Sequence, residues 1–305
     1  MKWKLDLNLI GRQIIAWIVM LGIYVLIIWV AYRFFSGSLR YLLIGSTFIS
    51  AFVQFFFSDK IVEKSMHVRI VTEYEEPHLH GIIRNLAANA NLPMPKVGII
   101  EHKAMENIPN AFATGRNPRH AVIAVTPKIR TMLSEPELEA VLAHEMAHIK
   151  NRDMLTMTLG SFAVMLASAI INHSFMIKLL GGMRDDDNSG KGMAVYFIAL
   201  AFSFVVYIVG TIVTMAISRY REFAADRGSA YLTMHPDALI SALKKISAGV
   251  DAAPKKAKRE VSGQNCFYII PAISGESVME LFSTHPSLKN RIENLKKVKT
   301  ELYGY

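Results

Sequence analysis

Ser134-Glu-Pro-Glu-Leu-Glu-Ala-Val-Leu-Ala-His-Glu-Met-Ala-His-Ile-Lys-Asn-Arg-Asp153 reads as a capped helix with a metal-binding face. Ser134 with Glu137 three residues on is a capping box, and Pro136 sits in the first turn, where its missing N–H is tolerated. His144 and His148 are four apart, so both imidazoles leave one face of the helix and reach a single ion. Glu145 is turned by about 100° from His144, close enough to reach water on such an ion but not to ligate it. Zinc lowers the pKa of bound water from about 15.7 toward 7, and a neighbouring carboxylate then takes the proton. Ala143, Met146, Ala147 and Ile149 give the pair apolar neighbours, and a buried imidazole needs a partner. Two surface histidines on an ordinary helix would lack that setting. No Gly or Pro follows until Gly160, so the helix is expected to continue into the apolar sequence beyond.

A catalytic zinc needs a third protein ligand and an open position. Cys266 is the single cysteine, and the sequence around it carries no supporting pattern. One cysteine also excludes an internal disulfide and a Cys-x-x-Cys zinc site. Arg221-Glu-Phe-Ala-Ala-Asp226, read as the start of a helix, places Glu222 and Asp226 on one face. Such a pair fits one ligand and one acceptor for the free N–H of a ligating histidine. On the residues alone Glu222 stands level with other carboxylates, and an ordinary charged turn with Arg219 and Arg221 is the plainer account. His285 in Ser283-Thr-His-Pro286 precedes a helix containing Arg291. It is either a donor to an oxyanion, assisted by Arg291, or an exposed loop histidine. His78 and His80 read as surface residues, and His173 as a hydrogen-bonded interior one.

Outward from the motif lie four blocks without a charged residue: Ile14–Tyr32, Tyr41–Ser58, Met154–Ile177 and Met193–Ser218. Each is long enough for the ~20 apolar residues a helix needs to cross a bilayer. Trp29, Tyr32 and Tyr41 stand at block ends, where aromatic belts form. The third block carries Asn172 and His173, so a shielded or partly inserted hairpin is the alternative for the last two. The chain is 52% hydrophobic, with a mean hydropathy of +0.28. The first block exceeds the 7–15 apolar residues of a signal peptide and lacks a small-residue cleavage site, so it reads as a retained span. By parity the N-terminus and both long polar segments share one side. The net charge of +9 gathers there, at Lys60, Lys64, Arg69, Lys150, Arg152 and Lys255–Arg259. That side is therefore expected to be the cytoplasm. No nucleic-acid-binding signature accompanies the charge, so nucleic acid is not an expected partner. Too few polar residues lie within the blocks for a transport pathway.

The polar segments predict an α+β arrangement. Residues 73–91 have helical spacing, Lys96–Ile100 reads as a strand, and residues 110–115 and 120–125 as two strands joined by a turn at 115–118. Residues 252–260 read as a mobile Lys-rich loop. The expected organisation is two spans (1–58), a catalytic region with the small sheet and metal-binding helix (59–153), two further apolar helices (154–218), and a C-terminal catalytic region with the third ligand (219–305).

Taken in order, Asn110-Ala-Phe-Ala-Thr-Gly115, Glu139-Ala-Val-Leu-Ala-His-Glu-Met-Ala-His-Ile-Lys-Asn-Arg-Asp153, Arg221-Glu-Phe-Ala-Ala-Asp226, and Ser283-Thr-His-Pro286 with Arg291 resemble the HtpX family of membrane-bound zinc metallopeptidases. That family is related to the CAAX prenyl endopeptidases. The resemblance covers the chain from the N-terminal spans to about residue 293. It implies a mainly helical multi-pass membrane protein with a small sheet and a zincin-like catalytic domain facing the cytoplasm at the cell membrane. It implies one Zn2+ per subunit, held by His144, His148 and Glu222, with Glu145 as catalytic base and acid and Asp226 supporting the site. It places Asn110, Ala111 and Phe112 along an extended substrate, near the scissile bond, and turns His285 and Arg291 to the oxyanion. The implied substrates are misfolded or damaged membrane proteins. Within and beside this reading stand an intramembrane protease and a non-catalytic, metal-stabilised adaptor. The intact Glu145 speaks against the adaptor, since metal binding alone does not need it. The sequence leaves the oligomeric state open.

Overall fold

In the computed structural model the described residues are 7–34, 37–179, 189–260 and 285–304. Cys266, Ser283 and Thr284 lie outside them, as does the whole stretch 261–284. Two long helices come first, α1 (Leu7–Phe34) and α2 (Gly37–Ser65). A polar region follows with β1 (Val68–Ile70), α3 (Pro77–Ala90), β2 (Lys96–Ile100), β3 (Ala111–Thr114), β4 (Val122–Val125), α4 (Pro127–Met132) and α5 (Glu135–Lys150). Then come the long helices α6 (Asp153–Leu179) and α7 (Ser189–Thr233), and last α8 (Pro236–Ala252), α9 (Lys255–Glu260) and α10 (Leu288–Tyr303). The protein is thus mostly helical with one small mixed sheet.

The sheet runs in the order β1-β2-β4-β3. β2 and β4 are parallel, and the two outer pairings are antiparallel. β3 is therefore an edge strand, and this edge runs beside α5. Gly115 ends it with φ +135, and a Cβ there would lie 2.5 Å from the His120 carbonyl oxygen, so the turn requires glycine. Of the three strands expected from the sequence, β2 has the expected bounds and β3 and β4 are shorter than expected. β1 was not expected: three residues after His67, itself at φ 51, carry no legible period.

α5 is buried on nearly every face, including Leu138, Val141, Leu142, Ala143, Met146 and Ile149. Such a helix belongs in the middle of a core, and it packs against α3, α7, α8 and β3. Its alanines permit close approach: the Ser229 hydroxyl of α7 donates to the Ala140 carbonyl at 2.6 Å. At its start Glu137 accepts the Ser134 N–H at 2.8 Å, the return half of a capping box. The same carboxylate accepts from Ser241 at 2.6 Å and pairs with Lys245 at 2.7 Å, both on α8. Burial pushes the Glu137 carboxyl up, but the Lys245, Ser241 and Ser134 donors outweigh it and hold it at about 2. Glu137→Ala, which removes a cap and leaves three donors short of an acceptor, is expected to cost about 2 kcal/mol. Chemical denaturation of the purified protein checks this.

Three helix bounds differ from expectation. α5 does not run into the third apolar block: Arg152 adopts φ 54, a left-handed conformation that ends the helix, and Asp153 begins a new one. Conversely, the fourth block and the Glu222–Asp226 stretch are one continuous helix, α7. A change from apolar to charged side chains changes the surroundings but not the backbone preference. Residues 255–260 form α9 rather than a loop, because Lys, Ala, Arg and Glu are all good helix formers.

A second apolar cluster joins α1, α6 and α7 through Met20, Ile23, Ala167, Val206 and Ile217. The Thr214 hydroxyl donates to the Gly160 carbonyl at 2.9 Å and closes α6 on α7. Apolar residues elsewhere on the long helices are exposed: Ile18 of α1 is 64% exposed, Ile49 of α2 66% and Phe204 of α7 57%. Among the described residues, one helical segment, Leu200–Thr233, is long and apolar enough to cross a membrane, and Ile10–Leu26 is a shorter apolar one.

Candidate metal centre

His144 and His148 project from one face of α5, and Glu222 faces them from α7. His144 Nε2 lies 3.2 Å from His148 Nε2 and 3.5 Å from Glu222 Oε2. His148 Nε2 lies 3.4 Å from Glu222 Oε1. A tetrahedral ion with bonds of about 2.0–2.1 Å has ligands about 3.3–3.4 Å apart. The two imidazole nitrogens and the two Glu222 oxygens therefore stand at the spacing one such ion fills, and the three side chains form a triangle around it. Two imidazole nitrogens facing each other at 3.2 Å, beside a buried carboxylate, make a donor set suited to a divalent cation.

Behind the triangle each imidazole is held by an acid. Asp226 Oδ1 lies 3.0 Å from His144 Nδ1, and Asp153 Oδ2 lies 2.5 Å from His148 Nδ1. Acceptors in this position fix the tautomer that leaves Nε2 free to ligate. Asp226 is fully buried and is gripped by Arg291, whose Nε donates to Oδ2 at 2.9 Å and whose second nitrogen donates to Oδ1 at 2.6 Å. Arg291 is 1% exposed, and its fork is spent on Asp226 rather than on the cleft; its remaining nitrogen lies 3.5 Å from Glu222. Asp153 has a cationic neighbour of its own, Arg221, whose Nε lies 3.0 Å from Oδ1.

Burial pulls the His148 imidazole down, but Asp153 and Glu222 more than offset this and hold it at about 10. His144 is likewise raised, by Asp226 and Glu222 against burial. The metal-free centre therefore holds protons that an incoming cation displaces. Burial pushes the Glu145 carboxyl up, opposed by the two histidines and the Ala113 N–H of β3. Glu145 thus sits between the metal-binding face and the edge strand.

A cleft of about 320 Å³ opens over this centre. Its walls include Ala111, Phe112, Ala113 and Thr114 of β3, His285, and, farther down, Met157 and Ser161 of α6 with Ser218 of α7. His285 is 7% exposed, and its Nδ1 lies 3.1 Å from Glu222 Oε2. The structure thus brings together His144, Glu145, His148, Glu222, Asp226, His285 and Arg291. Ala111 and Phe112 line the cleft. Asn110 does not: it is wholly buried, with its backbone tied to Thr126 in both directions at 2.9 Å. His78 and His80 lie elsewhere, beside Glu135 and the Val71 carbonyl.

Sequence reasoning missed three residues. Asp153 and Arg221 had no assigned role, because the left-handed turn at Arg152 breaks the helical register that would have linked Asp153 to His148. The signal available was an acidic residue in the first turn of an apolar helix, where negative charge is favoured. Thr114 is the third. It is 4% exposed, lines the cleft, and its hydroxyl has no hydrogen-bond partner among the described residues.

The family model described as Peptidase family M48 matches residues 73–299. "Protease HtpX homolog 2" of Methanosarcina mazei is 44% identical over 307 residues, covering 99% of this chain and 99% of that protein. "Protease HtpX homolog" of Moorella thermoacetica is 47% identical over 251 residues, covering 82% and 81%. Among solved structures, Ste24p of S. mikatae has a similar fold. Its TM-score is 0.56 at 18% identity, covering 96% of this chain and 67% of that one.

Proposed function

The chain belongs to peptidase family M48 and is a metallopeptidase, and from that premise we propose that it is a zinc endopeptidase of the membrane that cuts misfolded or damaged membrane proteins. The observation that carries this reading is the triangle of the His144, His148 and Glu222 side chains under an open cleft, with the imidazole nitrogens 3.2 Å apart and a Glu222 oxygen 3.5 and 3.4 Å from each in turn. When bound, zinc supplies a Lewis acid for the scissile carbonyl and acidifies water at its open position.

The chain's own residues supply the rest. Glu145 takes a proton from the attacking water and returns it to the leaving amine. Its burial, which raises its affinity for that proton, suits the return step. His285 donates to the oxygen of the carbonyl as it gains charge. Arg291 acts from behind, by fixing Asp226 and through it the ring of His144. β3 offers its free edge to an extended substrate, which adds as a further strand along Ala111–Thr114. Asn110 acts by anchoring the head of that strand. The Thr114 hydroxyl, buried without a partner among the described residues, is completed by a substrate backbone group. Thr114→Val is therefore expected to raise KM about fivefold, the worth of one hydrogen bond of ~1 kcal/mol, with stability unchanged or slightly higher. Steady-state kinetics and a thermal melt on one preparation check both.

The membrane assignment rests on the exposed apolar faces of α1, α2 and α7 and on the Lys and Arg gathered beside the polar segments, which favour a multi-pass protein with its catalytic region in the cytoplasm. The continuation of the cleft to Ser161 and Ser218 favours a second reading, in which the cut falls inside a substrate's membrane segment. Cleavage sites mapped by mass spectrometry on a single-span substrate separate the two.

The zinc content of purified protein tests the centre. Wild type is expected to hold one zinc per chain and to lose it, with its chelator-sensitive cleavage, on acidification as protons reclaim the imidazoles. His144→Ala and Glu222→Ala are expected to retain little. Stoichiometric zinc in Glu222→Ala would require another third ligand.

A further inference from the structure

We propose that the cavity beside the catalytic cleft binds the phosphate headgroup of an anionic phospholipid; this inference rests on the membrane reading above. The cavity, of about 800 Å³, is lined by Phe55, Leu92, Arg116, Arg119, Arg152 and Leu155 among others, and no carboxylate is among the described residues that line it. It lies where four pieces of the chain meet: the latter half of α2, the segment between α3 and β2, the turn between β3 and β4, and the turn from α5 into α6. α2 and α6 pack together, so one side of the cavity belongs to the paired long helices and the other to the polar region.

Its chemistry changes across that boundary. Three guanidiniums occupy the polar side. Phe55 and Leu155 stand on the helices, and next to Phe55 the α2 surface carries Phe52 and Phe57, 59% and 53% exposed. A phospholipid has this profile, an anion joined to apolar chains, and basic pockets between membrane helices on the cytoplasmic side hold such headgroups. The arginines are set in place. Arg116 donates to the Phe56 carbonyl at 3.2 Å, which ties the β3–β4 turn to α2. Arg152 is held at φ 54, a conformation that side chains other than glycine rarely take. Neither Arg119 nor Arg152 pairs with a carboxylate among the described residues. Two guanidiniums at a low-dielectric wall, without a carboxylate partner among the described residues, attract an anion.

The position makes the site consequential. Arg116 and Arg152 line the catalytic cleft as well as this cavity, and Arg152 immediately precedes the Asp153 that holds His148. A bound headgroup thus steadies the two turns that form one rim of the cleft.

The test is lipid binding by the full-length protein in detergent, followed by native mass spectrometry with phosphatidylglycerol and phosphatidylcholine. Wild type is expected to retain phosphatidylglycerol in preference to phosphatidylcholine. Arg119→Glu, a residue outside the catalytic cleft, and Arg152→Glu are each expected to weaken phosphatidylglycerol binding by about fivefold or more and to leave phosphatidylcholine unchanged. Arg119→Leu serves if a reversed charge unfolds the chain, with circular dichroism as the control. Phosphatidylglycerol binding unaffected by these variants overturns the proposal. Displacement by millimolar inorganic phosphate as effective as by lipid reduces the site to an anion site and also overturns it. So does a variant that keeps its lipid but loses cleavage of acidic peptides, which makes the arginines substrate contacts. The lipid-binding readout itself depends on neither zinc nor proteolysis. A chain that binds lipid selectively but cuts nothing contradicts the endopeptidase reading and leaves this one standing, whereas a chain that never inserts into vesicles contradicts the membrane reading itself.

Discussion

Glu145→Gln is expected to lower kcat/KM for an unfolded membrane substrate by about 10²–10⁴-fold, the range for loss of a general acid–base group, while zinc content stays at the wild-type level. The two halves of this result belong together. Glu145 contributes no atom to the triangle formed by His144, His148 and Glu222, so the ion does not need it. Glutamine fills the same space and still accepts from the Ala113 N–H that reaches Glu145, so the packing between α5 and β3 persists. What glutamine lacks is a proton-accepting oxygen. Burial at 4% exposure limits replacement of that oxygen by bulk solvent. Cleavage kinetics and metal analysis on the same preparation separate the outcomes: normal cleavage removes Glu145 from the mechanism, whereas lost zinc makes it part of the metal's support. Either result would also bear on the adaptor reading, because a metal-stabilised binding module has no use for a carboxylate at this position.

The difference between Glu145 and Glu222 illustrates what a sequence reveals about such a site. His144, Glu145 and His148 lie within five residues of one helix, and helical geometry relates them without reference to anything else. The helix itself was legible from Ser134, Glu137 and Pro136, whose capping chemistry is local. Glu222 sits on α7, and no period links two helices so far apart in the chain. Zinc chemistry fixes the kinds of ligand and not their positions, so the residues alone left Glu222 level with other carboxylates, and only the family resemblance singled it out. The same limit explains Asp153. Its partnership with His148 depends on the left-handed Arg152, and no Gly or Pro announces that turn. The continuity of α7 was hidden for another reason. Arg219, Arg221 and Glu222 look like the end of a membrane helix because the medium changes there, yet their backbone preference stays helical. Thr114 carried no signal, since its place in the cleft wall and its lack of a partner among the described residues are properties of the folded chain.

Arg291→Met is expected to be the most destabilising single change in the centre, at about 3–5 kcal/mol, because it strands a buried carboxylate. Asp226 is 0% exposed, and Arg291 supplies both of its bidentate donors. A loss of that size alone does not distinguish a pair that holds the fold from one that holds the metal. The double variant Arg291→Met/Asp226→Leu does. Replacing a buried ion pair by apolar residues of similar volume is often neutral or stabilising, so the double variant is expected to recover most of the stability lost by Arg291→Met. It does not recover the acceptor 3.0 Å from His144 Nδ1. Without that acceptor the ring is free to turn or to change tautomer, and zinc affinity is expected to remain about 10–100-fold below wild type. Denaturation midpoints and competitive zinc titration on the two variants measure the two effects apart. A double variant that is stable and binds zinc like wild type would mean that Asp226 and Arg291 serve packing alone, and that His144 is aimed by the shape of its pocket.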